Sequence, residues 1–187
     1  MSHTNADTDL VLRAIRGDTQ AFGELYQRYL RQIYQYIYYR VGDQAEAEDM
    51  TETVFLKVWE ALPNFRVGKA SFSTWLYRVA HNLLVDRYRT QKTTLSLDSQ
   101  PAQKIRDRAP SPEDEVIRQE EHERISAAIA RLAPDYQQVL VLRFIEKLPH
   151  SEVARILDRS EPAVRVLQYR ALRALADELG ESKGRYR

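Results

Sequence analysis

The chain has 187 residues, 43% of them hydrophobic and 29% charged, with 28 basic side chains against 27 acidic. This suits one ordinary domain or two small ones of a globular protein, and so balanced a charge names no partner by itself. Because there is no cysteine, a disulfide scaffold, a thiolate zinc site and a cysteine nucleophile are all excluded.

The opening run, MSHTNADTDLVLRAIRGD, has no apolar core of signal-peptide length. No stretch approaches the ~20 apolar residues that span a bilayer, so a soluble cytoplasmic protein is expected. The first sustained period places Phe22, Leu25, Tyr26, Tyr29, Ile33, Tyr36 and Ile37 on one face of a helix from about Thr19 to Arg40. Ala47, Met50, Val54, Val58 and Leu62 do the same for a helix opening at Asp43, where Asp43 and Glu46 have capping-box spacing. Pro63 stops that helix, and Asn64 to Ala70 form a loop. Ser71 then caps a third helix carrying Phe72, Trp75, Leu76, Val79, Ala80 and Leu83 on one side.

The period lapses from Thr93 to Pro110, a polar stretch with two prolines that reads as a linker. Ser111-Pro112-Glu113-Asp114 has the form of a helix start, and helical spacing resumes through Val116, Ile125, Ile129, Leu132 and on from Pro134 to Lys147. Ser151 to Leu157 then forms a short helix, Asp158-Arg159 a turn, and Ser160 the cap of a longer helix burying Val164, Leu167, Ala171 and Leu175. The expected fold is all-α: two small helical domains, residues 1–92 and 111–187, joined by a flexible linker over 93–110.

The balanced total hides a local asymmetry. Asp43 to Glu60 holds six acids against Lys57 alone, whereas Phe65 to Lys92 holds six bases against Asp86 alone. Neighbouring acidic and basic elements suit two surfaces with different partners, one of them a polyanion; solvated faces that pair with each other are the plainer reading. The run FSTWLYRVAHNLLVDRYR interleaves aromatics with cations, which suits stacking of unpaired bases and grip on a single strand. Trp75 falls on its apolar face and is assigned to the core. In the second domain the short turn makes a helix-turn-helix, with Glu161, Ala163, Arg165, Val166, Tyr169, Arg170 and Arg173 facing outward, as entry into a major groove requires. A helical hairpin with a basic solvent face is the alternative.

In order, the acidic helix segment (EAEDMTETVFLKVWEALPNF), SFSTWLYRVAHNLLVDRYR, the linker, and LAPDYQQVLVLRFIEKLPHSEVARILDRSEPAVRVLQYRALRAL resemble a small sigma factor of bacterial RNA polymerase, of the extracytoplasmic-function group. The resemblance runs from about Leu10 to Leu179 and implies a promoter-specificity subunit without catalysis of its own. It implies core RNA polymerase as partner, through the clamp of its largest subunit and the flap of the second-largest, and promoter DNA. A sequestering anti-sigma factor is the group's common means of control.

The polymerase-binding role falls on Glu48, Asp49, Glu52, Thr53 and Lys57. Capture and melting of the −10 element fall on Asn64, Phe65, Lys69, Arg78, His81 and Asn82. Reading of the −35 element falls on Ser160, Glu161, Arg165, Tyr169, Arg170 and Arg173. His81 stands where the group commonly has Arg, so a pH-sensitive phosphate grip is expected there. Glu52-Thr53, Asp158 and Pro162-Ala163 also depart from the group's pattern. A stand-alone helix-turn-helix regulator is the other reading, and it leaves the acidic and aromatic helices without a role. No metal-ligand spacing, cofactor loop or catalytic constellation is visible in the four scattered histidines, His3, His81, His122 and His150.

Overall fold

The computed structural model describes residues 3–94, 124–125 and 127–184, and all of its regular elements are helical among these residues. Helix α1 (His3–Ile15) was not foreseen, although Leu10, Val11 and Ala14 sit at helical spacing and are buried. Gly17, at φ 92°, turns the chain, and Asp18 fastens the corner. One carboxylate oxygen accepts from the Ala21 amide at 3.0 Å, capping α2, and the other accepts from Arg13 Nε at 2.9 Å. Those donors, the Ala21 amide first, hold the Asp18 carboxyl below the usual carboxylate range.

Helix α2 (Thr19–Val41) buries Ala21, Leu25, Tyr29, Ile33, Tyr36 and Ile37, the expected face, and ends at Gly42 in a left-handed conformation. Helix α3 (Gln44–Ala61) starts at the expected cap, with Asp43 accepting from the Glu46 amide at 2.9 Å. The reciprocal half of the capping box is not made. The Glu46 carboxylate instead takes both Nε and Nη2 of Arg87, tying the start of α3 to the far end of helix α4 (Phe72–Thr94). A short 3₁₀ turn, Leu62–Asn64, holds Pro63. Ser71 caps α4 through the Thr74 amide at 3.1 Å. Phe22 against Trp59 (4.8 Å between centroids) and Tyr26 against Phe55 (4.6 Å) close the α2–α3 contact. Each such pair adds about 0.5–1.5 kcal/mol beyond burial.

Of the expected linker only Thr93 and Thr94 are described, as the end of α4, and the expected helix start at Ser111 lies outside the described residues. The second half comprises a helical stretch ending at 130, α5 (Pro134–Leu140), a π-helical turn (Val141–Ile145), α6 (His150–Leu157) and α7 (Glu161–Gly184). Its core is built from Ile129, Leu132, Val139 to Leu142, Val153, Ile156, Leu157, Val164 and Ala171.

The two halves are packed together. Helix α4 lies against α6, and α2 against α5 and the π-helical turn, so one hydrophobic cluster runs from Leu10 to Ala171. The contact is nonetheless polar along three successive turns of α4. Thr74 Oγ1 donates to Glu152 Oε2 at 3.2 Å, Tyr77 Oη donates to Glu146, and His81 Nδ1 meets Gln138 Nε2 at 2.6 Å.

Candidate nucleic-acid and protein interfaces

Three exposed surfaces carry the residues singled out by sequence. On α3, buried Ala47, Met50, Thr51, Val54, Phe55 and Val58 fix one side toward α2, which turns Asp49 and Glu52 outward and leaves Thr53 partly buried at the edge. At about 100° per residue, Leu56 falls between Glu52 and Asp49, at the centre of this acidic face. It is 58% exposed, the largest exposure of any leucine among the described residues. Sequence reasoning missed it because its spacing resembles core spacing; the signal was that it lies opposite Val54 and Val58 on the wheel. Trp59, half-buried on Phe22, borders the same face. Glu48 and Lys57 are both exposed, but nine residues apart they flank α3 on opposite sides. The Thr53 hydroxyl is engaged with the Asp49 carbonyl of its own helix at 2.9 Å.

The second surface is the loop before α4 and the outer face of that helix. Asn64, Arg66, Val67 and Lys69 are exposed around Gly68, whose φ of 96° forms the loop tip. Phe65 packs instead on Trp75 (4.8 Å) and Phe72 (6.1 Å), so its ring anchors the loop to the core. Arg78 and Asn82 are exposed one turn apart, and the same strip continues through Val85, 45% exposed. His81 is not on that strip. It faces Gln138 in the contact between the halves, and burial, then the nearby Arg40 cation, push it down to about 4. In this arrangement it is neutral at pH 7 and no cationic phosphate grip is available from it.

Beneath the same contact lies a group of buried polar side chains. Arg40 is buried with Nε and Nη1 unpartnered, and the Tyr36 hydroxyl and Glu146 Oε1 are unpartnered as well. Burial raises the Tyr36 phenol to about 12, raises that of Tyr77 further, and raises the Glu146 carboxyl. Such groups are costly when dehydrated without partners, at about 1–3 kcal/mol each, so the halves meet through a contact that water can compete for.

The third surface is α7. Asp158, at φ 53°, makes the left-handed turn after α6, and the Arg159 amide returns to the Ala154 carbonyl at 2.9 Å. Ser160 caps α7 through the Ala163 amide at 3.4 Å. Behind the helix, Gln168 Oε1 is held by Arg143 Nε at 3.1 Å and lies 3.0 Å from His150 Nε2, which sets its rotation. Val164 and Ala171 are fully buried, and Glu161, Ala163, Arg165, Val166, Tyr169, Arg170 and Arg173 are all exposed. Arg165 pairs with Glu161 at 3.7 Å, an exposed pair of small energetic weight. Phe144, carried outward by the π-helical turn, is 50% exposed and was not foreseen.

Among the described residues no helix is long and apolar enough to cross a membrane. Residues 25–94 match the Sigma-70 region 2 family and residues 122–175 the Sigma-70 region 4 family. The chain is 37% identical over 168 residues to the ECF RNA polymerase sigma factor BldN of Streptomyces coelicolor, covering 90% of this chain and 64% of that longer protein. It is 33% identical to SigW of Bacillus subtilis, covering 88% of this chain and 91% of that one. Among solved structures, the fold resembles that of CnrH in complex with the cytosolic domain of CnrY, with a TM-score of 0.72 and 24% identity over 94% of this chain and 98% of that one. It also resembles the sigma factor RpoE of Bartonella quintana in complex with the anti-sigma factor NepR, with a TM-score of 0.72, 15% identity, and 85% and 96% covered.

Proposed function

The chain belongs to the extracytoplasmic-function family of RNA polymerase sigma factors, and from that membership we propose how its surfaces divide the work. It binds core polymerase, reads the −35 and −10 promoter elements and promotes melting for initiation. The acidic face of α3, with Asp49 and Glu52 around Leu56, docks on the clamp of the largest subunit. Leu56 supplies apolar area and the carboxylates supply steering and register. Glu48 and Lys57 serve at its edges, and Thr53 through its methyl and backbone position.

The loop and outer face of α4 take the −10 element. Asn64, Lys69, Arg78 and Asn82 reach DNA directly, and Phe65 holds the loop in place. Capturing unstacked bases offsets an unpairing cost of a few kcal/mol per base. His81 joins this surface only after the halves separate, when hydration returns its pKa toward ~6.5. The face of α7 enters the major groove at −35, with Ser160 and Arg170 near the backbone and Glu161, Arg165, Tyr169 and Arg173 toward the bases. The exposed Phe144 is an apolar anchor for the polymerase flap.

The observation that carries this reading is the exposed arginine-flanked face of α7, held at a fixed rotation by Gln168 and the left-handed turn at Asp158. The protein works in the cytoplasm, where polymerase is, and an anti-sigma factor that keeps the two halves together is a fitting regulator. Run-off transcription with bacterial core polymerase on randomised promoters tests the reading. Transcripts that require this chain and share two spaced motifs are expected. Promoter binding without polymerase, in a twofold pattern, would favour a stand-alone regulator.

A further inference from the structure

Val166 is the largest apolar residue on the outward face of α7 still without a role. With Val164 and Ala171 fully buried, the direction opposite the core passes through Pro162, Val166, Tyr169 and Arg173. Arg165 lies to one side of this ridge and Arg170 to the other. When a helix lies in a major groove, such an outermost ridge faces the floor, and its flanks face the groove walls, where base edges and phosphates are both within reach. Val166 is 51% exposed, two turns from the cap, in the part of a reading helix that meets base edges. An aliphatic branched side chain there has no solvation reason to be outside and no hydrogen bond to offer.

We propose that Val166 is a specificity-determining residue that reads a thymine C5 methyl group at −35. This rests on α7 being the −35 helix. Of all the groups displayed in the major groove, the thymine methyl is the apolar one. Against guanine, adenine or cytosine the same side chain covers a donor or acceptor without satisfying it, which excludes those bases. The positive flanks, Arg165 and Arg170 with Arg173 beyond, favour a polyanion over an apolar protein partner for this ridge. Arg165 is drawn toward Glu161 on the flank, so the centre of the ridge is left to Val166.

The test uses holoenzyme formed from the full chain and bacterial core polymerase, on a promoter selected from a randomised library by that holoenzyme. Each −35 thymine is replaced in turn by deoxyuridine, which removes only the methyl, and open-complex formation is compared for the natural chain and Val166→Ala. One replacement is expected to weaken the natural holoenzyme by ~4-fold, the worth of about one buried methyl, and to leave Val166→Ala indifferent. Equal sensitivity of both holoenzymes at every position overturns the assignment, as does a selected −35 element with no thymine on either strand. If scrambling the whole −35 element costs nothing, the reading of α7 itself has failed, which is a separate result. Val166 is exposed, so the variant is expected to fold, and its unchanged dependence on the −10 element verifies this.

Discussion

The hydroxyl of Tyr77 in α4 is hydrogen-bonded to the carboxylate of Glu146, which the π-helical turn of the second half carries into the first. Two residues 69 apart in sequence thereby join the halves through a carboxylate whose other oxygen is buried without a partner. Tyr77→Phe strands that carboxylate entirely and should weaken the closed arrangement by about 1–3 kcal/mol. Small-angle scattering is expected to show a larger radius of gyration while far-ultraviolet circular dichroism keeps its helical signal. An unchanged radius and thermal midpoint would mean the Tyr77–Glu146 bond does not hold the halves together.

Acid acts on the same contact through two groups of opposite sign. His81, facing Gln138 with Arg40, Arg78, Arg159 and Asp135 nearby, is pushed down to about 4 in the closed form. An open form regains a value near ~6.5. Above that value both forms are neutral there; as pH falls from ~6.5 toward 4, only the open form takes the proton, so His81 favours opening. Glu146 is shifted upward when closed, so its protonation as pH falls favours closing. His81→Gln isolates the two. Between pH 7 and 5, fluorescence transfer between labels on the two halves should report more opening for the natural chain than for His81→Gln. Identical pH curves would remove His81 as an opening group.

Asp49 stands beside Leu56 on a face whose buried side is already committed to α2. Asp49→Arg reverses one charge at that face without touching the core, so the fold should persist and core polymerase binding should fall by at least tenfold. Leu56→Ser should also weaken binding, but with less dependence on salt, because it removes apolar area rather than charge. Co-elution with core polymerase at two salt concentrations distinguishes them. Normal association of both variants would remove this face from the polymerase interface.

Local rules made the first half largely legible. The caps at Asp43 and Ser71, the stop at Pro63 and the buried face of α2 all follow from residues within a few positions of one another. What could not be read was set by distant partners. His81 looked like an outward cation on a basic helix, and only the arrival of Gln138, 57 residues later, turns it into a buried neutral group. Phe65 looked like a loop residue until Phe72 and Trp75 were placed beneath it. Helix α1 was overlooked for a different reason: its apolar stripe is short, and much of its hold on α2 is polar, through Asp7 to Arg28 and Tyr29 and through Arg13 to Asp18. The outward face of α7 was readable because Val164 and Ala171, apolar and seven residues apart, already mark the buried side of the helix.

Arg165 and Arg170 flank the same ridge but should differ in their consequences. Arg165 is poised beside Glu161 at the base-reading end. If its guanidinium pairs with a guanine edge, Arg165→Ala costs ~1–3 kcal/mol and relaxes selection at one −35 position. Arg170→Ala, on the phosphate side, should weaken all promoters alike and reduce the salt dependence of binding. Transcription from a −35 single-substitution series, at two salt concentrations, separates these outcomes. Unchanged transcription across the series for Arg165→Ala would exclude Arg165 from base readout.

Glu46 pairs with Arg87 in place of the reciprocal half of a capping box. Asp43 alone caps α3, so Asp43→Ala should cost ~1 kcal/mol of stability. Glu46 does separate work, since its carboxylate spans from the start of α3 to Arg87 on α4. Arg87 also lies over the Tyr88 ring, at 5.6 Å from its centroid, and Tyr88 in turn donates to the Arg40 carbonyl at 2.7 Å. Removing either partner of the ion pair therefore loosens the end of α4 from both α2 and α3. A double-mutant cycle of Glu46→Ala with Arg87→Ala, followed by denaturant unfolding, should return a coupling energy above the ~0.5 kcal/mol typical of an exposed pair. Asp43→Ala combined with Arg87→Ala should be additive, because the Asp43 cap contacts the α3 backbone and not Arg87. Coupling between Asp43 and Arg87 as large as that between Glu46 and Arg87 would show that Glu46 acts through the cap after all.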